Sequence, residues 1–164
     1  LRHPADVLIG LREGVQPRMV LTVRTDHLHA HAGQVAFPGG RSEADDGDAI
    51  TTALRESEEE IGLERRLVTP LGFLDRFETI SGFCITPVVA RIATEAQLYP
   101  APDEVAEVFE VPLAFFMEPA NLRRYTMEFR GHQRSMVEFV HGGHRIWGAT
   151  AAILLNLLQR MGRA

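Results

Sequence analysis

Four glutamates lie close together in one short segment of the chain. They occur in Arg55–Leu63, RESEEEIGL, which follows the glycine pair Gly39-Gly40 and an acidic loop. Carboxylate oxygens are the ligands that hard divalent cations such as Mg²⁺ prefer. A cation of this kind bridges phosphate oxygens and lowers the pKa of an attacking water molecule. The segment therefore predicts a metal-dependent site for chemistry on phosphates.

A helix over about residues 49–61 is predicted to position these glutamates. Asp48 is a favourable N-terminal cap, and Gly62 suits the left-handed position that commonly follows a helix. At about 100° per residue, one arc of the helix is apolar or small. That arc is predicted to face a sheet and consists of Ile50, Ala53, Leu54, Ser57 and Ile61.

The glutamates divide between two surfaces of this helix. Glu56, Glu59 and Glu60 share an arc beside the apolar one, whereas Glu58 falls elsewhere and is predicted to be solvated. Arg55 lies one turn before Glu59 and is placed to orient it through an ion pair. Three convergent carboxylates beside a glycine loop, whose backbone can approach a phosphate closely, favour a metal site.

A solvated acidic face is the plainer interpretation of the same residues. Like charges at helical spacing cost a few tenths of a kcal/mol per pair. The helix dipole also disfavours anions near the C-terminal end, where these glutamates lie. On an exposed surface such costs are tolerable without a cation, and the glycine pair is then an ordinary turn.

The composition bounds the class of protein. The 164 residues fit a single domain over residues 1–164, with ordinary apolar (45%) and charged (24%) fractions. No run of about 18 apolar residues indicates a membrane span, and a net charge of −5 argues against broad nucleic-acid binding. The single Cys84 excludes an internal disulfide and fits a reducing compartment. With no visible signal peptide, we expect a cytoplasmic protein.

The remaining pattern predicts an α/β (α+β) fold, in which a mixed β-sheet is sandwiched between helices. A helical turn is predicted at Pro112–Met117 and a final apolar helix at Ala149–Met161. The predicted strands are Met19–Arg24, Gln34–Phe37, Leu71–Glu78, Cys84–Ile92, Glu107–Val111, Leu122–Phe129, Met136–Val140 and Arg145–Trp147.

The segment Arg55–Leu63 resembles the second half of the Nudix box, with Ser57 in place of the usual aliphatic residue. In the first half, one extra loop residue brings Gly40 to the glycine position and Asp46 to the acidic position. The resemblance implies the Nudix fold and a site for Mg²⁺ or Mn²⁺. It implies Glu56 and Glu60 as principal metal ligands, with Glu59 completing the site and the Gly40 carbonyl as a further ligand.

The preceding segment, from Leu21 to Gly40, is similar to the extra motif of Nudix coenzyme A pyrophosphatases. Arg24 and the block GQVAFPGG match that motif, whereas His29 stands where a second Arg is expected. The resemblance implies hydrolysis of the diphosphate of coenzyme A or acyl-CoA, giving adenosine 3′,5′-bisphosphate and 4′-phosphopantetheine or its acylated form. The substrate-binding residues that follow from it are Arg24, His31, Phe37, Gly39 and Gly40.

The catalytic roles that the resemblance implies leave alternatives open. Glu59 and Glu104 are both candidates for the general base, and a solvated loop acid is the other interpretation of Glu104. Arg55 is expected to support the catalytic carboxylates. Because His29 replaces the second Arg, another nucleoside diphosphate derivative (ADP-ribose, NADH or a dinucleoside polyphosphate) stays open as substrate. A non-catalytic nucleotide-binding module and a homodimer also stay open.

Two features near the C-terminus admit a substrate contact or a structural role. Trp147 precedes an apolar helix, which favours core packing over stacking on an adenine. A group of arginines around one predicted hairpin is consistent with a 3′-phosphate contact, although a solvated ribbon is the favoured interpretation. This group consists of Arg123, Arg124, Arg130 and Arg134.

Overall fold

The computed structural model describes residues 2–25 and 33–163. Within these ranges the helices are α1 (Ala49–Ile61), α2 (Leu113–Met117) and α3 (Gly148–Arg160). The strands are β1 (His3–Arg12), β2 (Arg18–Arg24), β3 (Val35–Ala36), β4 (Gly39–Arg41), β5 (Val68–Phe73), β6 (Phe77–Glu78), β7 (Phe83–Ile92), β8 (Val105–Pro112), β9 (Arg123–Phe129), β10 (His132–His141) and β11 (His144–Ile146).

The larger sheet is mixed and is organised around β1. This strand runs parallel to β7 over ten residue pairs and antiparallel to β2 and β4. The strands β5 and β6 continue the sheet beyond β7, and β3 and β8 pair with β2. The strands β9, β10 and β11 form a separate antiparallel sheet.

The helices α1 and α3 cover opposite faces of the larger sheet. Successive side chains of a strand point to opposite faces, and the neighbours Leu8 and Ile9 of β1 belong to two different apolar clusters. The cluster around Leu8 contains Ala53 and Ile61 of α1, whereas the cluster around Ile9 contains Leu154 of α3. This arrangement confirms the predicted mixed sheet between helices.

The bounds and orientation predicted for α1 are also confirmed. The carboxylate of Asp48 accepts a hydrogen bond from the Thr51 N–H at 2.7 Å, and Gly62 adopts a left-handed φ of 67°. Ala53, Ser57 and Ile61 are buried against the sheet. Glu58, outside both arcs, is exposed and pairs with Arg65 at the surface.

The central strand β1 was not predicted from sequence. Pro4 and Gly10 interrupt its pattern, and burial on both faces removes the alternation that marks a half-exposed strand. The predicted strand Leu71–Glu78 is wrong as one element. It divides into the end of β5 and the short β6, because the chain leaves the ladder at residues 74–76 and buries Leu74.

The described residues contain no helix that is long and apolar enough to cross a membrane.

Candidate active site

Three carboxylates converge where the C-terminal half of α1 meets the loop before β8. Glu56, Glu60 and Glu104 each offer one oxygen, and these oxygens lie within 4.8 Å of one another. Glu56 and Glu60 share a helix face because they are four residues apart. Three hard oxygen ligands at this spacing suit a divalent cation that keeps part of its water shell.

Glu104 reaches the helix because its loop is hydrogen-bonded to the end of α1. The backbone N–H groups of Tyr99 and Ala101 donate to the carbonyls of Ile61 and Glu60, each at 2.8 Å. These bonds satisfy carbonyls that a helix C-terminus otherwise leaves without intrahelical partners. The same loop then continues to Glu104, whose carbonyl accepts from the Thr25 N–H at 3.2 Å.

Glu60 is the most buried member of this group, with 4% of its surface exposed. The pKa of Glu60 is raised to about 8, first by burial and then by the neighbouring carboxylates of Glu56 and Glu104. The Gly39 N–H, which donates to this carboxylate, and the Arg24 charge lower the pKa in part. The negative charge of these three carboxylates is therefore only partly balanced by neighbouring protein groups. A bound divalent cation would balance the remainder.

The glycine pair lies in β4, a short strand on β1 that the sequence had predicted as a turn. A Cβ at Gly40 would lie 2.6 Å from Cδ of Glu56, and a Cβ at Gly39 would lie 2.7 Å from Cα of Val7. Gly40 therefore leaves room for the Glu56 carboxylate. Gly39 lets β4 approach the backbone of β1, where its N–H reaches Glu60.

Arg55 links the carboxylates of the site to the acidic loop. Its Nε and Nη2 donate to the two carboxylate oxygens of Asp46 at 2.8 and 2.9 Å. Its Nη1 donates to Glu56 at 2.9 Å and lies 3.5 Å from Glu59. The ion pair expected between Arg55 and Glu59 is present, but the pairs with Asp46 and Glu56 are shorter.

Asp46, to which the sequence assigns no definite role, lies in the acidic loop and binds Arg55 from there. It also accepts hydrogen bonds from the Thr52 hydroxyl and the Glu43 N–H, both at 2.8 Å. The Arg55 guanidinium, followed by the Glu43 N–H, keeps the pKa of Asp46 well below its ordinary value. The extra loop residue falls after Asp46, where Gly47 has a φ of 82° that favours glycine.

The other predicted site residues are not members of this group of three carboxylates or fall outside the described ranges. Glu59 has 55% of its side chain exposed, and Phe37 is 5% exposed within the core. The Nε of Arg24, at the end of β2, is buried without a hydrogen-bond partner among residues 2–25 and 33–163. His31 and His29 fall within residues 26–32, outside the part that the structure describes.

The mixed-sheet fold and this acidic site together define a hydrolase that acts on diphosphate bonds. The family model for the NUDIX domain matches residues 1–134. The chain is 38% identical over 160 residues to the uncharacterized Nudix hydrolase NudL of Photorhabdus laumondii, covering 98% of this chain and 85% of that protein. It is 35% identical over 161 residues to NudL of an Enterobacter species, covering 98% and 84%. The chain belongs to the Nudix family, whose hydrolases generally use divalent metal ions.

Solved structures agree on the fold. A Nudix hydrolase from M. smegmatis, RenU, superposes with a TM-score of 0.66 at 21% identity, over 98% of this chain and 86% of that one. The NUDIX domain of Shewanella oneidensis NrtR, solved in complex with ADP ribose, superposes with a TM-score of 0.58 at 15% identity, over 98% and 89%.

Replacing Asp46 with Asn should lower kcat roughly 10- to 100-fold, the range found when a residue supporting a metal ligand is removed. The asparagine amide keeps the shape of the side chain but lacks the negative charge that orients Arg55. Arg55 in turn holds the carboxylate of Glu56. Asp45→Asn is the matched control, because Asp45 lies in the same turn. Steady-state kinetics of both variants checks this prediction, and equal activities would contradict it.

The effect of Asp46→Asn on thermal stability should also depend on pH. Because the folded-state pKa of Asp46 is depressed, its stabilisation is present above the ordinary Asp value of about 4 and is lost as the pH falls below it. The Tm difference between wild type and Asp46→Asn should therefore be largest at neutral pH and should shrink in acid. A difference that does not change with pH would show that the charge of Asp46 is not what stabilises the loop.

Proposed function

We propose that this protein is a metal-dependent coenzyme A diphosphatase, acting as a single domain in the cytoplasm with Mg²⁺ or Mn²⁺. It would cleave the diphosphate of coenzyme A or acyl-CoA into adenosine 3′,5′-bisphosphate and the (acyl-)phosphopantetheine. The convergence of Glu56, Glu60 and Glu104 beside Gly40 carries the diphosphatase part of this proposal. The resemblance of Leu21–Gly40 to the coenzyme A motif supports the choice of substrate.

In this proposal Glu56 and Glu60 hold the metal ion, and the Gly40 carbonyl is a further ligand. When bound, a divalent cation there would supply charge neutralisation for the diphosphate and a lowered pKa for a coordinated water. Arg55 keeps the Glu56 carboxylate in place through its 2.9 Å hydrogen bond. The buried position of Glu60 excludes bulk water from one side of the site.

The general base must remove a proton from the attacking water. Glu104 is the candidate that the geometry supports, because its carboxylate lies with Glu56 and Glu60 and is itself exposed. Glu59 stays the alternative: it is more exposed to solvent than Glu56, and its described contact is the pair with Arg55.

Arg24 and the Gly39-Gly40 pair are the substrate contacts that we retain. The charge of Arg24 lowers the pKa of Glu60, which supports a position of the guanidinium close to the carboxylates. Its buried Nε is available for a diphosphate oxygen within the described structure. Phe37 packs in the core, so we give it the role of supporting the glycine pair. His31 remains a proposed contact from sequence alone.

A substrate panel tests this function. Coenzyme A, acetyl-CoA, ADP-ribose, NADH and a dinucleoside polyphosphate would be incubated with Mg²⁺ or Mn²⁺, and the products resolved by chromatography. The expected result is release of adenosine 3′,5′-bisphosphate from coenzyme A with the highest kcat/KM of the panel. A Glu60→Gln protein purified in parallel controls for contaminating phosphatases.

Each other outcome would overturn the proposal in a specific way. Faster hydrolysis of ADP-ribose, the ligand of the NrtR domain, would assign the site to a different nucleoside diphosphate derivative. Metal-supported binding of nucleotides without hydrolysis would identify a binding module.

A further inference from the structure

A guanidinium on the second sheet is fixed in place by a buried carboxylate. The Nε and Nη2 of Arg145, on β11, donate to one oxygen of Glu138 at 3.2 and 3.0 Å. Glu138 has 9% of its side chain exposed. This carboxylate holds the guanidinium along its Nε edge, although 48% of the Arg145 side chain remains exposed.

Two aromatic rings fix the plane of the same guanidinium. Its Cζ lies 4.8 Å from the ring centroid of Trp147 and 5.9 Å from that of Tyr125. The Tyr125 hydroxyl also accepts from Nη2 at 3.4 Å. A guanidinium held by a carboxylate and two rings loses little further freedom when it binds a ligand.

Arg145 has donors left for an anion. Of its five N–H groups, those on Nη1 have no acceptor within residues 2–25 and 33–163. Glu138 is also shared with Arg123, whose Nη1 lies 3.4 Å from the second carboxylate oxygen. One carboxylate therefore faces two guanidinium groups, which leaves a net positive charge and an open edge suited to a phosphate.

Two contacts join the segment that carries Arg145 to the segments that lead to the active site. The Thr150 hydroxyl donates to the Val35 carbonyl at 3.0 Å, and Val35 lies four residues before Gly39. His144 lies 3.1 Å from the carboxylate of Glu107, three residues after Glu104. The strand β11 therefore lies beside the segments that carry Gly39 and Glu104.

We propose that Arg145 binds a phosphate monoester on the nucleoside half of the substrate, next to the active site. The proposal rests on the proposed function, since coenzyme A carries such a phosphate at its ribose 3′ position. Arg145 is then a specificity-determining residue, which separates 3′-phosphorylated from unphosphorylated nucleotides. It takes no part in the cleavage of the diphosphate.

Binding without turnover gives the first test. Trp147 is the only tryptophan of the chain and contacts Arg145, so its fluorescence reports on ligands at this position. Adenosine 3′,5′-bisphosphate and 5′-AMP would be titrated without metal, with calorimetry in parallel. Wild type should bind the bisphosphate about tenfold or more tightly than 5′-AMP, as expected for a charge-assisted hydrogen bond from Nη1.

Substitutions assign that preference to a residue. Arg145→Gln should abolish the preference and leave 5′-AMP binding unchanged, and Arg145→Lys, which keeps the charge without the planar guanidinium, should retain part of it. Arg134→Gln is the matched control, because Arg134 lies in the same sheet but packs over Phe129. A full preference in Arg145→Gln, or its loss in Arg134→Gln alone, would overturn the proposal.

Kinetics gives the second test and separates the two proposals. The kcat/KM ratio of coenzyme A to 3′-dephospho-coenzyme A should fall about tenfold in Arg145→Gln, through KM and with kcat nearly unchanged. If coenzyme A is not hydrolysed at all, the proposed function fails while the binding preference can still be found. If coenzyme A is hydrolysed and wild type shows no preference by either method, the inference about Arg145 fails alone.

Discussion

Replacing Glu60 with Gln should lower kcat by roughly two to three orders of magnitude, the loss typical of removing a group that stabilises transition-state charge. The amide is nearly the same size as the carboxylate, so packing against the sheet is kept. It removes one of the three carboxylates that converge at the site, and with it one of the proposed metal ligands. Titration of Mn²⁺, followed by calorimetry, should show weaker binding in parallel with the loss of activity.

Stability distinguishes this loss from damage to the fold. In metal-free protein, Glu60→Gln replaces a buried carboxyl whose charged form is disfavoured by burial and by the neighbouring carboxylates, so the Tm should be equal to or above that of wild type. Added Mn²⁺ should then raise the Tm of wild type more than that of the variant. Glu58→Gln, an exposed glutamate of the same helix, is the matched control. Near-normal activity in Glu60→Gln would contradict the assignment of this residue as a metal ligand.

The sequence predicts α1 well because the information is local. The cap at Asp48, the left-handed Gly62 and the buried arc of Ala53, Ser57 and Ile61 all follow from spacing within one helix. The convergence of Glu56 and Glu60 follows from the same spacing. Neighbouring positions on a helix therefore explain two of the three converging carboxylates without any knowledge of the rest of the fold.

The contacts that complete the site are long-range, and local patterns do not reveal them. Glu104 joins the helix because Tyr99 and Ala101 bond to the carbonyls at the end of α1, some forty residues earlier in the chain. The strand β1, which receives β4, is buried on both faces and lacks alternation. In each case the signal is a pairing between distant segments.

Asp46 shows how a motif with an extra residue is resolved by geometry. Counting back from Arg55 with the standard spacing of the motif reaches Gly47 at the acidic position, whereas one extra loop residue brings Asp46 to that position. The structure places Asp46 on Arg55 through two hydrogen bonds and accommodates the extra residue at the left-handed Gly47. A turn of this kind depends on backbone conformation, which the residue types only suggest.

Alanine substitutions in the glycine pair should give the second large loss of activity, and the two variants should lose it for different reasons. A methyl group at Gly40 meets the Glu56 carboxylate, the mobile end of a side chain, with Cδ at 2.6 Å and Oε2 at 2.7 Å. The carboxylate can move aside, so Gly40→Ala should fold with a near-normal Tm. Displacement of a metal ligand by about 1 Å should nevertheless lower kcat roughly 100-fold.

Gly39→Ala is the matched comparison, because its added methyl group meets backbone and not a flexible side chain. The Cα of Val7 would lie 2.7 Å away, and the strand pair β1–β4 must separate to relieve the contact. Overpacking of this kind costs about 1–3 kcal/mol of stability, so a lower Tm should accompany any loss of activity. Measuring Tm, Mn²⁺ affinity and kcat for both variants separates the two effects. Full activity in Gly40→Ala would show that the site tolerates displacement of Glu56, and the metal would then have to depend on Glu60 and Glu104.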